Sequence, residues 1–143
     1  MNIKRIIYVA GVVTNDKDLV KLVDNKMPNK FCHHVTLKFG NIDKLPSFIG
    51  KDFVFESVVL VKDEKAIALA GYIPDNEVED YMIDADDKHG AHITICTAEG
   101  VKPVYSNELL IYGDHEAHYV TVPCRVGAFV VFEDDSTGWV FNK

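Results

Sequence analysis

The chain has 143 residues, 48% of them hydrophobic, with a formal net charge of -7. It is long enough to bury one core and too apolar for a disordered segment. It is also too acidic, without a dense Lys/Arg cluster, for an extended nucleic-acid footprint. The three cysteines, Cys32, Cys96 and Cys124, are an odd number with no pair spacing. That argues against a disulfide framework and for a reducing compartment.

Lys4-Arg5 followed by the apolar run Ile6–Val13 imitates a short signal peptide. The run meets Thr14-Asn15-Asp16 without a small-residue cleavage pattern, and it is too short to span a bilayer. A buried strand over Arg5–Val13 and a cytoplasmic location (the host cytoplasm for a viral chain) are expected. Thr14-Asn15-Asp16 offers helix caps, and Leu19, Val20, Leu22 and Val23 share a helical face, so Lys17–Asn25 is expected to be helical. Phe31–Phe39 then reads as a strand, closed by Gly40-Asn41. Phe53–Val61 and Ala66–Ile73 follow as strands about the polar turn Lys62–Lys65. Asn76–Met82 is read as a short helix, Ile83–Gly90 as an acidic loop, and Ala91–Thr97 as a strand. Ser106-Asn107-Glu108 caps a helix through Ile111 that Gly113 stops. Strands over His118–Val122, Arg125–Phe132 and Gly138–Phe141 complete the chain.

One pattern occurs twice. His34-Val35-Thr36-Leu37 and His92-Ile93-Thr94-Ile95 both read His-apolar-Thr-apolar, 58 positions apart. At this composition chance supplies roughly 0.06 copies. In a strand, side chains alternate between faces. Each copy therefore buries its apolar pair and presents His and Thr to the opposite side. Two such strands side by side would offer two imidazoles and two hydroxyls to one ligand, a set suited to acid–base chemistry on a phosphodiester. The first half reads strand, helix, motif strand, strand, and the second reads strand, loop or helix, motif strand, helix, strands. This order points to an α+β fold with largely antiparallel sheets and a weak internal duplication.

The paired motifs resemble the signature of the 2H phosphoesterase superfamily. That superfamily includes LigT-like cyclic phosphodiesterases, cyclic phosphodiesterases of RNA end processing, and phage enzymes that destroy cyclic-oligonucleotide immune signals. The resemblance rests on both motifs, their spacing and the element order. The segment Gly100–Asn107 after the second motif is similar to viral and eukaryotic members. It implies a single domain over 1–143 with two lobes, roughly 1–62 and 63–143, between which strands are free to exchange. The lobes would be two pseudo-equivalent, mostly antiparallel sheets with flanking helices and a central cleft. It also implies a metal-independent phosphodiesterase without cofactors, in which His34 and His92 are general base and acid. Thr36 and Thr94 would hydrogen-bond the phosphate oxygens. The substrate would be a small nucleotide: a 2′,3′-cyclic phosphate end, or a short or cyclic oligonucleotide. Long duplex and membrane are not expected partners, and the oligomeric state, base and bond stay open.

Further candidates surround the motifs. Lys38 continues the alternation of His34 and Thr36, as either a phosphate ligand or an exposed strand-end lysine. Tyr8, Trp139 and Tyr105 are candidate substrate contacts, since aromatic faces suit nucleobases; core packing is the alternative for Tyr8 and Trp139. Cys96 lies two residues beyond Thr94, as either a cleft residue or a small buried hydrophobe. Alternation turns His33 away from His34. The pairs His89/His92 and His115/His118, with Asp84, Asp86, Asp87 and Asp114 nearby, have a spacing that binds metal when helical geometry puts both rings on one face, but His89/His92 straddles Gly90 and a strand start. A His/Asp metalloprotein and a non-catalytic nucleotide-binding module are the rival readings.

Overall fold

The computed structural model describes residues 2–84 and 90–142. Its elements in chain order are β1 (Ile3–Val13), α1 (Lys17–Val20), β2 (Asn29–Lys30), β3 (His34–Phe39), β4 (Asp52–Lys62) and β5 (Ala66–Tyr72). Then follow α2 (Asn76–Asp84), β6 (Ala91–Thr97), a 3-10 turn (Pro103–Tyr105), α3 (Ser106–Tyr112), β7 (Asp114–Ala117), β8 (Thr121–Phe132) and β9 (Thr137–Val140). The fold is α+β, rich in strands, and every described strand pairing is antiparallel.

The strands form one hydrogen-bonded sheet in the order β7-β4-β5-β6-β3-β1-β8-β9, with β2 also on β6. This differs from two separate sheets. The cause lies in the long strands. The first part of β4 pairs with β8 through Phe53↔Cys124 and Phe55↔Val122. Its second part pairs with β7 on that same side, and β5 takes the other. The β4–β8 pairing closes β4, β5, β6, β3, β1 and β8 into a circuit. The inner side chains of that circuit, among them Val9, Val35, Leu37, Phe55, Leu69, Ile93 and Val126, are buried in the main core. Gly11 belongs to this interior because a Cβ there would sit 2.3 Å from the Phe53 ring.

The internal repeat is legible in the ladders. Ala10↔Thr36, Gly11↔Val35 and Val12↔His34 join β1 to β3, and Ala68↔Thr94, Leu69↔Ile93 and Ala70↔His92 join β5 to β6. Each position in the second set lies 58 after its counterpart. Even the bulge repeats, at Val9/Ala10 and at Ile67/Ala68. The two motif strands are neighbours at the middle of the sheet.

Several local expectations shift. The first helix spans only Lys17–Val20, because Leu19 alone of its face is fully buried while turns carry Leu22 and Val23 into the core as partly buried neighbours. The expected strand Phe31–Phe39 is broken at Cys32, whose φ of 61° leaves the extended region. Of the three expected tail strands, the first two merge into β8, and β7 is an addition of four exposed residues. Ile83 and Asp84 continue α2, while residues 85–89 lie outside the described residues. Among the described residues no helix is long and apolar enough to cross a membrane.

Candidate active site

Val35 and Ile93 are Cα partners on β3 and β6, and both are fully buried. The antiparallel register about this pair sets His34 beside Thr94 and Thr36 beside His92 on the opposite face. All four line one cavity of about 730 Å³, with Tyr8, Phe31, His33, Leu37, Lys38, Phe39, Pro103, Val104 and Asn107. In this array the two imidazoles are diagonal neighbours, a relation that spans about 7–8 Å between strands.

The cavity walls differ in the two halves. On the β1 side Tyr8 stacks on His34, with ring centroids 5.4 Å apart, and on Phe39 at 6.0 Å. The counterparts of Tyr8 and Phe39 are Ala66 and Thr97, both fully buried. Small residues there leave room for α3, whose Leu109 packs on Ala66 and Ala68. Helix α3 in turn brings Ser106 to Thr94, with hydroxyl oxygens 2.8 Å apart, and Asn107 to the cavity.

The electrostatics favour an anion. None of the described lining residues is acidic, although the chain carries a net charge of -7. Burial pulls the His34 imidazole down from its ordinary value to about 4, and like-charge repulsion from His33 and His92 adds to the effect. Burial lowers His33 as well. His92 Nδ1 donates to the Gly90 carbonyl at 3.2 Å. A carbonyl only accepts, so Nδ1 carries the hydrogen of this contact. Burial raises the thiols, Cys32 to about 11 and Cys124 to about 12, so neither is a nucleophile near neutral pH.

The other sequence candidates divide. Tyr8 and Lys38 line the cavity, with the Lys38 ammonium 5.9 Å from the centre of the Tyr81 ring. Trp139 stands behind that wall, edge-on to Tyr8 at 5.5 Å and 6.0 Å from the His34 ring. Tyr105 is turned away: its hydroxyl donates to the Asp63 carboxylate, and Lys65 lies over its ring. Cys96 is fully buried with its thiol on Met27, 3.6 Å away, so it belongs to the core. The His115 ring nitrogens lie 2.8 Å from the Gly113 carbonyl and 3.1 Å from the Leu110 carbonyl. Asp86, Asp87 and His89 lie outside the described residues. Among the described residues no group of three or more His, Cys, Asp or Glu is arranged to hold a metal.

His33 corrects the sequence reading. Its ring meets that of His34 through the Nδ1 edges, with centroids 4.6 Å apart and the two Nδ1 atoms 2.5 Å apart. Alternation did not apply, because the left-handed Cys32 interrupts the strand and β3 begins only at His34. Phe31, Phe39, Pro103, Val104 and Asn107 were also missed. Alternation puts Phe39 with Val35 and Leu37 on the apolar face, so its exposure carried no signal in the sequence. Comparisons with protein-family models, with curated proteins and with solved structures find no match to this chain.

Proposed function

We propose that this chain is a metal-independent phosphodiesterase of 2H phosphoesterase-like architecture, acting on a small nucleotide. One observation carries the reading: two His-x-Thr strands, repeated at a spacing of 58, lie side by side with both imidazoles and both hydroxyls lining one cavity. His34, kept neutral by burial, is the general base that takes a proton from a 2′-hydroxyl or a water. His92, whose Nδ1 hydrogen is held by the Gly90 carbonyl, acts as the imidazolium: it gives its Nε2 proton to the departing oxygen and is left as the neutral Nδ1–H ring. The roles exchange between a cyclising and a hydrolytic step. The Thr36 and Thr94 hydroxyls orient the phosphate and stabilise its developing charge, and Lys38 adds a cation near it. This donor set moves protons and binds phosphate with no ion required.

The substrate classes are 2′,3′-cyclic phosphate ends and short or cyclic oligonucleotides, a cyclic-oligonucleotide immune signal among them. Tyr8 and exposed Phe39 supply a stacking wall on the His34 side only, which favours a nucleobase there. Three buried thiols, none in a disulfide, fit a cytoplasmic setting. The test is incubation with 2′,3′-cyclic mononucleotides, linear 2′-5′ and 3′-5′ oligonucleotides and cyclic dinucleotides, followed by product identification. Cleavage of at least one class is expected. Binding with every ligand recovered intact would replace the enzyme by a binding module.

A further inference from the structure

We propose that His33 is a positioning and relay residue for His34: its Nδ1 takes up the Nδ1 proton of His34 when His34 Nε2 receives one from the substrate. The substrate step rests on the phosphodiesterase reading, whereas the pairing of the two rings stands on geometry alone. The Nδ1 atoms are 2.5 Å apart, within reach of one shared proton, and the rings are within 23° of parallel. Two neutral imidazoles make such a contact only when one Nδ1 carries hydrogen and the other offers a lone pair. With the hydrogen on His34 Nδ1, His34 Nε2 is left as an acceptor, the form a general base requires.

The proton count closes. A hydroxyl proton goes to His34 Nε2, and the His34 Nδ1 proton crosses to His33 Nδ1. His34 is again neutral, and the one added positive charge sits on His33. When His34 later returns its Nε2 proton to a departing oxygen, the shared proton moves back. The gain is one of solvation. His34 is packed under Tyr8 and Trp139, whereas His33 is the less buried of the two rings. Charge is cheaper on the wetter ring. The other titratable groups around the pair are Tyr8 from β1, Lys38 on β3 and His92 from β6, and no described lining residue is a carboxylate. Phe31 holds the far side of the His33 ring edge-on at 5.8 Å.

Two variants separate stacking, hydrogen bonding and proton transfer. His33→Phe keeps a ring on His34 and removes both nitrogens. His33→Asn keeps an acceptor that cannot take the proton. Long-range proton–nitrogen NMR of the full chain, without substrate, reads the tautomer and titration of His34. In the wild type the His33 and His34 rings are expected to titrate as a coupled pair, with neutral His34 carrying hydrogen on Nδ1. In His33→Phe the Nδ1–H form should decline and His34 should titrate alone. With substrate, kcat should fall by at least about tenfold in both variants at little change in KM, although His33→Asn restores the tautomer. An unchanged His34 tautomer and titration in His33→Phe would overturn the pairing. Full turnover by His33→Asn would overturn the relay. If the wild type cuts no phosphodiester, the NMR measurement still decides the pairing, so the two failures are distinct.

Discussion

Thr94 Oγ1 lies 2.8 Å from Ser106 Oγ, and Ser106 is fully buried at the start of α3. The contact fixes the direction of the Thr94 hydroxyl from a helix outside both motifs. A neutral hydrogen bond of this kind is worth about 1 kcal/mol, or about fivefold in rate if all of it serves orientation. Ser106→Ala is expected to lower turnover by about that factor. The loss should vanish in a Thr94→Ala background, because the two residues would act as one unit. Equal losses in both backgrounds would mean that Ser106 acts elsewhere.

Replacing His34 or His92 by Ala is expected to reduce turnover by at least about 100-fold, the scale of lost acid–base catalysis. The double variant should be little worse than either single one. Steady-state kinetics on the best substrate of the panel checks this. A correctly folded single variant with near-wild-type turnover would remove that imidazole from the mechanism.

Activity should survive exhaustive chelation, since imidazoles and hydroxyls supply the chemistry proposed for this cleft. The measurement is turnover before and after dialysis against EDTA. Loss of activity restored by one divalent metal would favour a His/Asp metalloprotein instead.

Stability should fall in mild acid. An unfolded imidazole titrates near 6.5, whereas burial brings folded His34 down to about 4. Between those values the unfolded chain binds a proton that the folded chain refuses, so stability rises with pH across the window. The contribution is complete above about pH 6.5 and is lost as pH falls through about 4. His33, also lowered by burial, acts in the same direction. Urea unfolding at several pH values should show the slope, and His34→Phe should weaken it. A His34→Phe effect identical at pH values above and below this window would contradict the assignment.

Long duplex nucleic acid should compete poorly. A net charge of -7 repels an extended polyanion, while a cavity with no acidic residue in its described lining would still receive a single phosphate. Excess duplex at moderate salt should barely slow cleavage of a labelled short substrate. Strong inhibition relieved by added salt would reveal an extended footprint.

Much of the motif was legible because alternation in a strand assigns faces without knowledge of the fold. His34, Thr36, His92 and Thr94 share a cavity while Val35, Leu37, Ile93 and Ile95 are buried. The repeat was legible in element order, and its register appears only in the ladders. Closure of β4 on β8 was hidden, because it depends on pairing between residues about 70 positions apart such as Phe53 and Cys124. Strand β7 was hidden for another reason: Asp114, His115, Glu116 and Ala117 are all exposed, so no apolar alternation marks them. His33 was misread because one left-handed residue resets the alternation, and a cysteine gives no warning of that conformation. Tyr105 was misassigned because its carboxylate partner, Asp63, lies 42 positions away.

The constant register offset describes an isologous contact folded into one polypeptide. In a symmetric dimer of two identical halves, β3 would meet its own copy at the Val35–Ile93 crossing, and any substitution would fall on both sides. Joining the halves in tandem removes that constraint. The pairs Tyr8/Ala66, Lys38/Cys96 and Phe39/Thr97 occupy equivalent ladder positions and have diverged in size, charge and polarity. The crossing itself keeps both imidazoles and both hydroxyls. A ligand centred there meets matched chemistry from two directions and mismatched walls. The walls, not the motifs, therefore decide which way round it lies.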